Sequence, residues 1–301
     1  MIKKNVFLLL LIFLFQLKSF AQTIEGFVTD EKGFKLPFVN LLVQNTKHGT
    51  ATNQKGFYSL DISNFATDTL LVSFLGYKKE LLALHEFKAD SVYTFNITLK
   101  ANEEILSSVI VKNREVKFGW RQHIIGRKRK GGFVVSNPFG HETITLLKNG
   151  KGRLGKLEAL ILKFKKRETN IYKSFGAYYR IKFYRYDEIN KKPGAVLSEK
   201  SILLKPENKN QRTKIDLAEY NILFPKSGIC VGIETINPNE QLPENNMYVT
   251  TPNLLWTHDK KSLSWTSFRG GEKHKIVRTS EFKKGFYQNP FVKIKVVFAK
   301  G

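Results

Sequence analysis

The sequence predicts an all-β protein: an N-terminal antiparallel sandwich followed by a larger antiparallel β-sandwich of jelly-roll type. Three observations carry this. Apolar residues alternate at period two in short runs along most of the chain. Clusters of Gly, Asn, Asp and Pro separate those runs and supply turns. Helical periodicity is nowhere sustained over about 11 residues. With 301 residues the chain is long enough for roughly two domains of ~150 residues. An apolar content of 42% supports a sizeable core and argues against disorder.

Residues 1–21 read as a cleavable signal peptide. Lys3 and Lys4 precede an apolar run from Val6 to Phe15, and Ser19-Phe20-Ala21 supplies the small residues of a cleavage site before Gln22. The run is shorter than the ~20 residues of a membrane span, and no later segment approaches that length. No transmembrane span is therefore expected after cleavage. No Cys follows the cleavage site to carry a lipid anchor. Cys230, the only cysteine, excludes an internal disulfide and lies in the apolar run Ile229–Ile233, which marks it as a small core residue.

Residues 22–100 form the first module. Ile24, Gly26 and Val28 alternate and end in Thr29-Asp30-Glu31-Lys32-Gly33, where Asp can bond its own backbone. Pro37 opens the strand of Val39, Leu41 and Val43. Thr52-Asn53-Gln54-Lys55-Gly56 repeats the first turn almost letter for letter. Tyr58, Leu60 and Ile62 follow, then Leu70, Val72 and Phe74, closed by Gly76-Tyr77, and finally Phe95, Ile97 and Leu99. About seven short strands in this length indicate a sandwich.

Four blocks of these residues, in order, resemble the carboxypeptidase-regulatory-like domain: Ile24-x-Gly26-x-Val28-x-Asp30-x-x-Gly33, Leu36-Pro37-x-Val39-Asn40, Gly49-Thr50-x-Thr52-Asn53-x-x-Gly56-x-Tyr58-x-Leu60, and Val72–Tyr77. The resemblance implies a seven-stranded prealbumin-like sandwich, an accessory module common in exported bacterial proteins and at the N-termini of outer-membrane receptors. It implies no peptidase activity. A peptidase zinc site of that kind needs His-x-x-Glu, and none of the six histidines has Glu three residues later. Glu103–Lys112 is similar to the short strand that follows this domain in such receptors, and also reads as a linker strand. The remaining chain is far too short for a plug and a 22-stranded barrel.

Residues 101–153 read as a linker and an irregular basic segment, and 154–301 as the basic sandwich. Tyr179, Ile181 and Phe183 point one way while Arg180 and Lys182 point the other. Val292, Ile294 and Val296 alternate with Lys293 and Lys295. Pro193-Gly194 reads as a turn, and Leu254–Trp256 with Leu263–Trp265 as a hairpin tipped by Asp259–Ser262.

The formal charge of +24 is unevenly placed. Residues 22–112 hold 9 basic and 10 acidic side chains, whereas 113–301 hold 38 and 16, a net of +22. Such a field favours anionic partners. For an exported protein these are acidic polysaccharide, lipid head groups or an acidic envelope protein, not nucleic acid. Candidate anionic contacts are Arg127, Lys128, Arg129 and Lys130, together with a basic sheet face of Arg180, Lys182, Lys293 and Lys295, joined by Lys163 and Lys165. Solvated charges that only aid solubility are the alternative. Trp256, Trp265 and Tyr184, with Trp120 and Tyr186, are candidates for stacking on sugar rings, or else core aromatics.

No Gly-x-Ser-x-Gly elbow, phosphate loop, Cys-x-x-Cys or His-x-x-x-His spacing occurs. The sequence therefore calls for no cofactor, metal or catalytic residue. A carboxylate pair such as Asp187 and Glu234 stays open as a glycosidase arrangement. The leading expectation is a non-catalytic extracytoplasmic binding or scaffold protein of the cell envelope. The alternatives are a carbohydrate-binding module acting with an outer-membrane uptake system, and a cryptic hydrolase.

Overall fold

The computed structural model describes residues 22–87, 92–102, 116–128, 132–167, 169–239, 247–281 and 284–300. These are all β apart from two single-turn 3-10 segments, Leu84–Glu86 and Ala218–Tyr220. The leader, the strand-like run after Glu103, and Arg129 and Lys130 lie outside the described residues.

The first sandwich comprises β1 (Thr23–Asp30), β2 (Asn40–Val43), β3 (Gly49–Ala51), β4 (Phe57–Asp61), β5 (Thr69–Ser73), β6 (Glu80–Ala83), β7 (Val92–Thr94) and β8 (Ile97–Leu99). One sheet runs β4-β1-β7 with β8 also on β1, and the other runs β3-β2-β5-β6. Ile24, Val28, Leu41, Val43, Tyr58, Leu60, Leu70 and Val72 bury between them. Residues i and i+2 of a strand share a face, so the alternating positions converge there. The two similar turns have the same hydrogen bonds. Asp30 Oδ1 accepts from the amides of Lys32 (2.9 Å) and Phe34 (2.8 Å), and Asn53 Oδ1 from those of Lys55 (2.8 Å) and Phe57 (3.0 Å). Two pairings depart from the antiparallel expectation, because β7 and β8 both run parallel to β1. At the break between them a Cβ on Gly26 would lie 2.2 Å from the Phe95 carbonyl oxygen, so only glycine admits that close approach.

The second sandwich comprises β9 (His123–Gly126), β10 (Phe133–Val134), β11 (His141–Leu147), β12 (Gly155–Lys165), β13 (Lys173–Gly176), β14 (Tyr178–Asp187), β15 (Lys192–Val196), β16 (Ile202–Leu204), β17 (Gln211–Asp216) and β18 (Leu223–Phe224). It continues with β19 (Ile229–Ile236), β20 (Tyr248–Thr251), β21 (Asn253–Asp259), β22 (Ser264–Phe268), β23 (His274–Ile276), β24 (Tyr287–Pro290) and β25 (Val292–Phe298). An eight-stranded sheet runs β10-β21-β12-β25-β9, with β17 and β18 on β12 and β24 on β21. A seven-stranded sheet runs β15-β14-β19-β11-β22-β23, with β16 on β14. Leu160, Leu162, Phe164, Ile294 and Val296 from the first meet Tyr179, Ile181, Phe183, Val231 and Ile233 from the second.

Three sequence expectations are corrected. The sandwich does not start at Leu154, because β9 and β10 belong to its eight-stranded sheet and β11 lies inside its seven-stranded one. Leu254–Trp256 and Leu263–Trp265 are not a hairpin, because β21 and β22 lie in opposite sheets. The buried Asn289 side chain holds that crossing, accepting from the Leu263 amide (2.9 Å) and the Ser264 hydroxyl (2.8 Å) and donating to the Lys261 carbonyl (3.0 Å). Pro193-Gly194 is inside β15, an edge strand that tolerates proline, and the chain reverses at Glu188–Lys191 instead.

The two sandwiches pack sheet on sheet. Leu41, Val43, Leu70 and Val72 face their own core, while the alternate residues Asn40, Leu42 and Ser73 are also buried. Asn40 meets Glu234 of β19, and Leu42 and Ser73 meet the Gly270-Gly271 turn after β22. Every residue of β19 is buried, where a one-sided antiparallel strand would alternate.

Candidate functional site

Between the sandwiches is a cleft of ≈ 600 Å³. The first sandwich contributes Phe74, Tyr77 and Lys79 to its walls, and the second contributes Lys182, Tyr184 and Lys273. Its floor is an ionic cluster on the outer face of the seven-stranded sheet. Glu142 on β11 is directly opposite Glu234 on β19, which is directly opposite Arg180 on β14. Lys182 Nζ lies 2.9 Å from Glu234 Oε2 and 3.4 Å from Glu142 Oε2, and Arg180 Nη1 lies 3.3 Å from Glu234 Oε2. Tyr184 and Ser267 donate to Glu142 at 2.7 and 3.2 Å. Gly232 leaves room for that carboxylate, since a Cβ there would fall 2.0 Å from Glu142 Oε1.

The first sandwich joins the cluster directly. Asn40 Nδ2 donates to Glu234 Oε1 at 2.6 Å, and Arg180 Nη2 donates to the Phe38 carbonyl at 2.6 Å. The Arg180 guanidinium also lies 5.0 Å from the Phe74 ring centre.

Burial alone would raise the Glu234 carboxyl, but Lys182, Arg180 and the hydrogen bonds from Lys182 and Asn40 carry it down to about 2. Burial alone would lower the Lys182 ammonium, but Glu142 and Glu234 outweigh it and raise it. Burial, reinforced by Glu142, raises the Tyr184 hydroxyl well above its ordinary value. At neutral pH, then, Glu234 is an anion, Lys182 a cation and Tyr184 protonated. A general acid or base works best with its pKa near the working pH, and these three groups are displaced away from it. The arrangement ties two sandwiches together.

The predicted basic face divides between two sheets. Lys163, Lys165, Lys293 and Lys295 lie on the outer face of the eight-stranded sheet, where register adds Arg212 beside Lys163 and Lys214 beside Ile161. Asp216 is the acid in these paired rows. Arg180 and Lys182 do not belong to that face: they are buried in the other sheet and paired with Glu234 and Glu142. Arg127 is also buried. It donates to Thr145 Oγ1 (2.7 Å) and to the Leu146 and Pro290 carbonyls (both 3.4 Å), and lies 3.5 Å from Asp259. Burial outweighs Asp259 and lowers its guanidinium to about 10. Of that cationic run, Lys128 is exposed.

The sugar-stacking candidates are corrected as well. Trp256 and Trp265 are 1% and 3% exposed, and Tyr184 is buried beneath Lys273, whose ammonium is 4.1 Å from the ring centre. Trp265 is similarly covered by Lys275 at 3.6 Å. These rings are packing partners, and Trp120, 89% exposed, is the one open indole. Asp187 lies at the turn end of β14, about 23 Å along the strand from the position opposite Glu234 at ~3.3 Å per residue. The two carboxylates are therefore not a glycosidase pair. Cys230 is buried against Ile144, Leu146 and Trp265, and burial pushes its thiol up to about 12.

Sequence reasoning missed Asn40, Glu142 and Ser267 as cluster members. The available signal was opposite charge at the outward positions of apolar strands: Glu142, Arg180, Lys182 and Glu234 all interrupt runs whose inward partners are apolar.

The two-sheet module of β1–β8, with its paired Asx turns, sits where the sequence resemblance falls. Residues 24–111 match the family model of the CarboxypepD_reg-like domain. No curated protein matches the chain. The CarboxypepD_reg-like domain thus accounts for the sandwich that supplies Asn40, Ser73 and Phe74 to the cleft, and the second sandwich is described by its geometry alone.

Proposed function

We propose that this is an exported, non-catalytic binding or scaffold protein of the bacterial cell envelope. In this reading the CarboxypepD_reg-like domain is fastened onto a basic sandwich that docks to an anionic partner. One observation carries it. The eight-stranded sheet, on the side away from its core, presents Arg212 opposite Lys163, Lys214 and Lys293 on either side of Ile161, and Lys295 opposite Ala159. Cations on neighbouring strands repel one another unless a counter-charge meets them. An acidic polysaccharide or anionic lipid head groups would supply that counter-charge, and either suits a protein exported by the leader at residues 1–21.

The test is retention of residues 22–301 on acidic and neutral polysaccharides and on anionic vesicles, at low and high salt. Retention on anionic surfaces that falls as salt rises is the expected result, because screening shortens the reach of exposed charges. Reversing Lys293 and Lys295 to Glu should abolish it. Retention indifferent to salt and to that reversal would overturn the proposal, as would no retention on any anionic surface.

A further inference from the structure

The eight-stranded sheet has an open edge beside its lysines. β9 ends the strand order and, among the described residues, pairs only with β25. Its Ile124 is opposite Lys295, so it shares the outer face, and it is 61% exposed. Gln122 is on the same side, its Oε1 accepting from Lys295 Nζ at 3.3 Å. Trp120, the open indole, comes just before β9.

Register lifts Trp120 out of that edge. Phe118 bridges to Ala299 and His123 pairs with Val296, so three steps from Val296 to Ala299 are matched by five from Phe118 to His123. The Gly119 amide still donates to the Phe298 carbonyl (2.8 Å), which leaves the two extra residues within Trp120–Gln122. A bulge of this kind re-aims a side chain at a sheet rim. Cations gather around it. Partial burial, then Lys151, Arg121 and Arg153, lower the His123 imidazole, and Lys151 Nζ lies 3.3 and 3.2 Å from its two nitrogens. Between residues 116 and 157 the one acid is Glu142, which is buried in the ionic cluster.

A lone exposed apolar side chain is ordinary. Two on one open edge, one of them raised by a bulge and both among cations, fit a surface that is anionic and apolar together. An acidic polysaccharide meets only the cations, since isoleucine offers no flat face for a sugar to stack on. An anionic bilayer meets both, because tryptophan lodges at head-group level, aliphatic side chains enter the acyl boundary and lysine or arginine pairs with the lipid phosphates. We infer that this edge is a peripheral membrane contact. Trp120 and Ile124 enter the interface of an anionic phospholipid bilayer. Lys293 and Lys295, one strand in, hold its head groups on one side of β9, and Arg121, Lys151 and Arg153 hold them on the other. His123 and Ile124 alternate across β9, so a plane laid along the open edge is reached from both sides. The inference rests on the reading of the lysine face as an anionic docking surface and names the lipid surface as its partner.

Co-sedimentation of residues 22–301 with vesicles tests this, using phosphatidylcholine alone and an equal mixture with phosphatidylglycerol. Binding to the mixture and not to phosphatidylcholine alone is expected. Tryptophan emission should shift to the blue on binding and be quenched by lipid brominated near the head group. Trp256 and Trp265 are buried, so that change reports Trp120, and it should vanish in Trp120→Phe. Trp120→Ser with Ile124→Ser should weaken binding about tenfold and leave the fold intact, since both side chains are exposed. Binding to the mixture with no emission shift, no quenching and no loss in the double variant overturns the inference and leaves the anionic docking surface standing. Retention on acidic polysaccharide without retention on the mixed vesicles does the same. Retention on neither rejects both. The quenching is read on the native chain, so the test holds even if a variant misfolds.

Discussion

The two sheets of the second sandwich carry similar outward residues and use them oppositely. On the seven-stranded sheet Arg180 and Lys182 alternate with the core residues Tyr179, Ile181 and Phe183, and on the eight-stranded sheet Lys293 and Lys295 alternate with Val292, Ile294 and Val296. As sequence the two patterns are the same. Across the strands they differ. Arg180 faces Glu234, which faces Glu142, whereas Lys293 faces Ile161 and, beyond it, Lys214. Cross-strand neighbours decide whether an outward charge is a buried tie or a solvated surface. Where acids complement the bases, the CarboxypepD_reg-like domain covers the face and contributes Asn40 and the Phe38 carbonyl.

The largest test of that difference removes one charge from each sheet. Glu234→Gln leaves Arg180 and Lys182 buried with Glu142 as their remaining carboxylate. Breaking a buried pair from one side costs about 3–5 kcal/mol, so the variant should show that loss in denaturant titration. Lys293→Gln should stay within about 0.5 kcal/mol of the native chain. Equal losses would mean that the sheets do not differ in this way.

Acid should separate the two sheets next. Glu234 sits at about 2 in the folded chain, below the ~4.3 of an unfolded glutamate. Its contribution is therefore complete above about pH 5 and drains away as pH falls from about 4 towards 2, reaching about 3 kcal/mol. Denaturant midpoints across that window should fall steeply for the native chain and less for Glu234→Gln. Parallel falls would place the acid sensitivity elsewhere.

How much of this was legible beforehand follows from the same physics. Period-two alternation and turn chemistry are local, so the strands through Ile24–Val28, Tyr179–Phe183 and Val292–Val296 could be read directly, and so could the twin Asx turns at Asp30 and Asn53. Pairing is not local. Whether Leu254–Trp256 and Leu263–Trp265 share a sheet depends on the Asn289 bridge, some 25 residues further on. The cluster was the least legible part, because Asn40 and Glu234 meet across 194 residues of chain. The basic face was legible in Lys163, Lys165, Lys293 and Lys295, and misassigned in Arg180 and Lys182 because their acids lay on other strands.

The docking of the sandwiches offers a smaller perturbation. Gly270 has φ +76°, and a Cβ there would lie 2.3 Å from Ser73 Oγ. Gly270→Val combines backbone strain with overpacking and should cost about 2–3 kcal/mol. The loss should come with new proteolytic cleavage between the modules while the strands of each persist by circular dichroism. Unchanged protease resistance would show that this turn does not set the docking.

The smallest effect on stability is the most informative about function. Lys293→Glu with Lys295→Glu places one acid across Ile161 from Lys214 and the other across Ala159 from Asp216, and gives up the exposed hydrogen bond from Lys295 Nζ to Gln122 Oε1 at 3.3 Å. One new attraction, one new like-charge approach and one exposed hydrogen bond lost should leave stability within about 0.5 kcal/mol of the native chain. The same change should remove salt-sensitive retention on anionic surfaces. Both results together would separate the sheets completely, one holding the molecule together and one presenting it. A stability loss as large as that of Glu234→Gln would instead make the lysine face structural and dissolve the distinction.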